Sequence, residues 1–169
     1  LPAALRVALL QARFASGDQE TDNLLEAARL RILAPKQSAG EGLEKLWDAF
    51  ERIKTLEPGA NKKDMADAML DHAARPGSQL RASLAAEADA QTKIGNTHRI
   101  RHSETWQEPL ETSLQVDYLF TRLFAFIYLQ LKASAVPPSA GTPAGATPKG
   151  GSTGIAGNPS FASYGYQID

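Results

Sequence analysis

The chain has no cysteine. Disulfides, thiol nucleophiles and zinc sites built on thiolates are thereby excluded together, and nothing in it asks for an oxidising compartment. An excess of either charge is also missing. The 18 Lys and Arg stand against 19 Asp and Glu, a net charge of −1. There is thus no global basic field to hold nucleic acid, and a plain DNA-binding helical domain is disfavoured. A polyanion would have to meet a local patch. Long apolar runs are lacking too. The most apolar stretch, Tyr118 to Leu131, is too short for a bilayer and contains Arg122. No basic-then-apolar leader opens the chain. The expectation is a cytoplasmic protein with no membrane partner; a first residue of Leu1 rather than Met implies a fragment with an upstream domain outside it. Histidine is scarce, with three in all. No HExxH, GxGxxG, GxxxxGK[ST] or GxSxG pattern is present, so neither a metal nor another cofactor is expected.

What is there divides in two. From about Ala133 onward lie five of the ten prolines and seven of the thirteen glycines, with only Lys149 and Asp169 charged. "PPSAGTPAGATPKGGSTGIAGNP" has no apolar periodicity to offset the entropy of ordering. The expected organisation is a helical bundle over residues 1–133 and a flexible low-complexity tail over 134–169, closed by the aromatic "FASYGYQID".

The first part reads as helices separated by Pro and Gly stops. Pro2 to about Ala15 suits a short amphipathic helix. "TDNLLEAARLRIL" places Leu25, Ala28 and Ile32 on one stripe and stops at Ala34-Pro35. Ser38 and Glu41 have capping-box spacing, ahead of Leu43, Leu46, Trp47, Phe50 and Ile53 at helical intervals; Asp48 and Arg52 are spaced to pair on the wet face. Asn61 suits the cap of a helix that turns Met65 and Met69 inward, and "RPGS" ends it. A further helix carries Leu80, Leu84, Ala88 and Gln91 on one face. The last, about Leu114 to Lys132, is apolar on most sides, as befits the centre of a bundle or a dimer interface. Strand alternation is nowhere long enough to use. The fold class expected is all-α, with five or six helices.

Between the last two helices, "NTHRIRHSE" (Asn96 to Glu104) packs two arginines and two histidines around Ile100. Gly95-Asn96 interrupts helix propensity, so a kink or restart is expected there. A His98–His102 pair at i, i+4 suits a metal but lacks a third ligand. Arg99 and Arg101 offer fork-shaped donors to phosphate, and His102 can move protons near neutral pH. Metal-free RNA cleavage needs those elements: a base for the 2′-hydroxyl and cations for the phosphorane. The same residues equally suit ion pairs at a helix end, with His102 as an interhelical hydrogen-bonder. Asn61 to Lys63, with Arg52 and Lys54, suit either a second basic edge or a solvated surface.

Three blocks, "EGLEKLWDAFERIKTLEPGANKKDM", "IGNTHRIRHSET" and "VDYLFTRLFAFI", together resemble, in that order, the C-terminal helical domain of bacterial abortive-infection proteins of the AbiJ type. The similarity spans about Asn23 to Leu131. Such domains look like members of the HEPN group, helical bundles that often dimerise and act as metal-free ribonucleases or toxins in phage defence. Their signature is R-x4-6-H. This chain departs from it, with two residues between Arg99 and His102. The resemblance implies an antiphage domain acting on RNA, with Arg99, His102, Asn96 and Glu104 as the catalytic set and Arg101, His98 and Lys93 binding RNA phosphates. His102 would serve as general acid or base, with Asn96 and Glu104 orienting. A homodimer through the last helix is expected. The departure from the signature also fits a non-catalytic dimerisation or sensor module serving an effector domain elsewhere.

Overall fold

The computed structural model describes residues 1–34, 39–98, 100 and 107–135. Among them are six α-helices and no strand: α1 (Ala3–Gln11), α2 (Gln19–Leu33), α3 (Ala39–Ile53), α4 (Lys62–Ala73), α5 (Gln79–Thr97) and α6 (Ser113–Ser134). The expected all-α class holds. The first helix is shorter than its pattern suggested, stopping at Gln11, and the last runs on to Ser134. Ser38, the expected cap of α3, and the tail from 136 lie outside the described residues.

Polar side chains set the helix starts. Asp18 caps α2 by accepting from the Thr21 amide at 2.8 Å. Asn61 accepts from the Lys63 and Asp64 amides at the start of α4. Thr112 and Gln115 form a reciprocal capping box on α6. Asp18 has a second task. Arg52, at the end of α3, donates to both its carboxylate oxygens, at 2.5 and 2.8 Å. The Arg52 guanidinium is the main reason that the Asp18 carboxyl is held far below the usual carboxylate range. The Asp48–Arg52 pair expected on α3 is therefore not made: Asp48 meets Lys45 at 3.2 Å, while Arg52 reaches across to the preceding helix.

α3 is the hub, packed against α2 and α6, while α4 packs against α6 and α5. Gly42 sets the α2–α3 approach. A Cβ there would lie 3.0 Å from the Ile32 nitrogen and 3.2 Å from the Ala28 carbonyl. The apolar stripe of α3 disappears from solvent: Leu43, Leu46, Trp47 and Phe50 are each 1% exposed or less. On the opposite wall stand Phe120, Leu123 and Ile127 of α6, and Phe126 meets Phe50 edge to face, 5.8 Å between centroids. Met69 is buried and Met65 half-buried. Leu80 does not join the core, although it shares a stripe with Leu84 and Ala88. It sits in the first turn of α5 and is 58% exposed, because no described residue covers that turn.

Candidate functional site

The candidate stretch is reached along α5. Its inner face carries Leu84, Ala88, Gln91 and Gly95, all buried. Gly95 does not break the helix, which runs through Asn96 to Thr97. The expected kink is replaced by a tertiary contact: a Cβ on Gly95 would stand 2.1 Å from Trp47 Nε1. Glycine is required there because the pyrrole side of the Trp47 indole occupies the place a Cβ would take.

The helix stops one residue later. His98 is its C-cap, with extended backbone (φ −95°, ψ 157°), and its amide donates to the Ile94 carbonyl at 3.0 Å. This geometry takes His98 out of the helix, so the i, i+4 relation proposed for His98 and His102 is not set up by α5. Beyond it, the chain returns to the same place. His98 and Glu108 form an isolated parallel bridge, the Glu108 amide donates to the Thr97 carbonyl at 3.2 Å, and Gln107 Nε2 donates to the Asn96 carbonyl at 3.1 Å. Gln107 is 5% exposed and Ile100 is 6% exposed. Residues 98, 107 and 108 are thus held against the last turn of α5.

Of the seven candidate residues, the structure places three. Lys93 and Asn96 are exposed, three positions apart on the side of α5 that faces away from the core. His98 is half-buried at the helix end, its Nδ1 buried and without a hydrogen-bond partner among the described residues. Arg99, Arg101, His102 and Glu104 lie outside the described residues. The negative end of the α5 dipole lies at His98, its C-cap, and favours cations there.

Three of the four cations in the second basic grouping are paired with carboxylates. Lys63 is paired with Asp67 at 2.8 Å, Lys54 with Glu51 at 2.7 Å, and Arg52 with Asp18. Among the described residues no three His, Cys, Asp or Glu side chains are grouped to hold a metal. His72 is a surface residue meeting Glu57 at 3.2 Å. Two features had no visible sequence signal. Gln107 ties the returning chain to α5, and Arg122 clamps α6 to α5 through both oxygens of Glu87 at 2.8 Å. Polar residues flanking a cationic run carry no local mark of such long-range partners.

No family model, no curated protein and no solved structure matches this chain. Among the described residues, no helix is long and apolar enough to cross a membrane.

Proposed function

We propose that the segment from Lys93 to Glu104 is an RNA-acting site of HEPN type in a bacterial antiphage, abortive-infection domain. One observation supports it above the rest: the segment holding Arg99, Arg101 and His102 is closed at its base by the His98–Glu108 bridge and the Gln107–Asn96 hydrogen bond. Short segments fixed at both ends on a rigid scaffold are where binding and catalytic side chains concentrate. In this reading Arg99 stabilises the phosphorane and Arg101, His98 and Lys93 hold flanking phosphates. His102 transfers the proton, and Asn96 and Glu104 orient these groups. No metal or other cofactor takes part, and the site acts on RNA, whose 2′-hydroxyl supplies the nucleophile.

The test is cleavage of labelled RNA and toxicity on expression. His102→Ala should abolish both while leaving the melting temperature equal or higher, since functional sites are strained. Arg99→Ala should do the same and weaken RNA binding with a shallower salt dependence. If His102→Ala unfolds the protein, the histidine is an architectural hydrogen-bonder. If both variants fold and retain full phage defence, the site is elsewhere. The second reading, a non-catalytic dimerisation or sensor module, is supported by a different feature, the exposed apolar face of α6.

A further inference from the structure

A buried polar side chain is ordinarily hydrogen-bonded, because burial removes the water that would otherwise satisfy it. Gln130 breaks this rule at both of its polar atoms. It stands on the buried face of α6, three positions beyond Ile127, and is 1% exposed. Neither its Oε1 nor its Nε2 has a hydrogen-bond partner among the described residues. An apolar side chain of the same shape would fill this place without that cost.

Gln130 lines a cavity of about 250 Å³. The loop between α1 and α2, the end of α3, Met69 of α4 and the end of α6 converge on it. A buried site of about 150 Å³ already accepts a benzene ring, and one water occupies about 30 Å³. The space is therefore larger than a single solvating water needs. Its apolar walls include Ile53, Leu56, Met69 and Leu131, and Glu57 is its only charged lining residue among those described. Glu57 is met by His72 at 3.2 Å. α3 ends at Ile53 and α6 at Ser134, both in the cavity wall. The negative ends of two helix dipoles and a carboxylate thus disfavour an anion here.

We propose that this cavity binds a small uncharged molecule by a carboxamide edge, with Gln130 as the group that recognises it. A glutamine amide presents a donor and an acceptor side by side. A ligand carboxamide offers the complementary pair and satisfies both atoms at once. A carboxylate only accepts and an amidinium only donates, so each leaves one Gln130 atom unpaired. The carboxylate is also repelled by Glu57. The apolar walls suit a flat ring or a short aliphatic body behind the amide. Met69 is unbranched and adaptable, so that wall gives way as the ligand reaches the enclosed side chain. Binding here needs neither Arg99 nor His102, so ligand capture and RNA cleavage are separable.

Benzamide, benzoate and benzamidine share one shape and differ in the edge they present. In the ¹⁵N-labelled full chain, benzamide should shift the Gln130 side-chain NH₂ signals with a dissociation constant of about 1 mM, ordinary for so few atoms. Benzoate and benzamidine should bind about tenfold more weakly or worse, since each leaves a buried group unpaired. Gln130→Met keeps the length of the side chain and removes the amide. It should melt at the wild-type temperature or higher, and bind benzamide about tenfold more weakly. No shift at Gln130 with about 10 mM benzamide, tenfold above the expected constant, would overturn the proposal and leave the cavity to solvent. So would a folded Gln130→Met that binds benzamide as tightly as wild type. Benzoate or benzamidine binding as well as benzamide would overturn the carboxamide edge. Should Gln130→Met fail to fold, the three ligands on the wild-type chain decide alone.

Discussion

At Gly95 two rules of local chemistry oppose each other. Glycine inside a helix is worse than alanine by about 1 kcal/mol, so Gly95→Ala would stabilise an isolated α5 by that amount. In the folded chain the added carbon meets Trp47 Nε1 at 2.1 Å and Cδ1 at 2.7 Å, and a rigid indole, 1% exposed, has nowhere to go. Overpacking of this kind costs about 1–3 kcal/mol beyond any propensity gain. Gly95→Ala should therefore lower the denaturant midpoint by an amount worth roughly 2 kcal/mol, with a change in Trp47 emission. In a Trp47→Phe background, where the smaller ring leaves room, the same substitution should cost less. Equal losses in both backgrounds would show that the indole is not the obstacle. The glycine was misread from sequence for a physical reason. Gly-Asn is a sound local stop signal, but the residue that needs this glycine is Trp47, far away in the chain, and local propensity contains no term for it.

Legibility differs from element to element in the same way. The stripe of α3 was plain in sequence because five large apolar residues at helical spacing leave no other buried face. The cap Asn61 belongs to the same short-range class, and its amide oxygen sits where the Lys63 and Asp64 amides need it. The ion pairs were not legible. Asp48 and Arg52 had ideal spacing, yet a bidentate partner offered by the neighbouring helix outcompetes an exposed i, i+4 pair, which is worth only a few tenths of a kcal/mol. The Arg122–Glu87 clamp is a similar case between α5 and α6. Hydrogen bonds from Arg122 hold the Glu87 carboxyl below its ordinary value, and Arg52 does the same for Asp18. Each carboxyl has a folded pKa below its unfolded one, so its contribution is present above the unfolded value, near pH 4, and is lost as pH falls through the folded pKa. Thermal unfolding should accordingly be flat from neutral pH to about pH 5 and decline below about pH 4. Glu87→Gln should lower the melting temperature at pH 7 and narrow its gap to wild type at pH 3. A gap that widens on acidification would reverse the assigned sign. Of the candidate site, the cationic run itself was legible, whereas its pinning through Gln107 and Glu108 was not, since neither residue carries a pattern of its own.

At the scale of the whole molecule, the core comes from residues between Leu9 and Ile127, and α6 ends at Ser134. The segment from 136 to 169 holds Val136, Ile155, Phe161, Tyr164, Tyr166 and Ile168 as its only large apolar side chains, too few and too widely spaced to build a second core. Those side chains bear on stability only by joining the helical part. Removing residues 136–169 should then leave the melting temperature of the remaining chain within a few degrees of the full-length value, because the burial that stabilises α3 and α6 is untouched. Differential scanning calorimetry on the two chains, compared at equal concentration so that any dimer is equally populated, measures this directly. A loss near ten degrees, about 2 kcal/mol for a domain of this size, would instead mean that "FASYGYQID" packs onto the bundle.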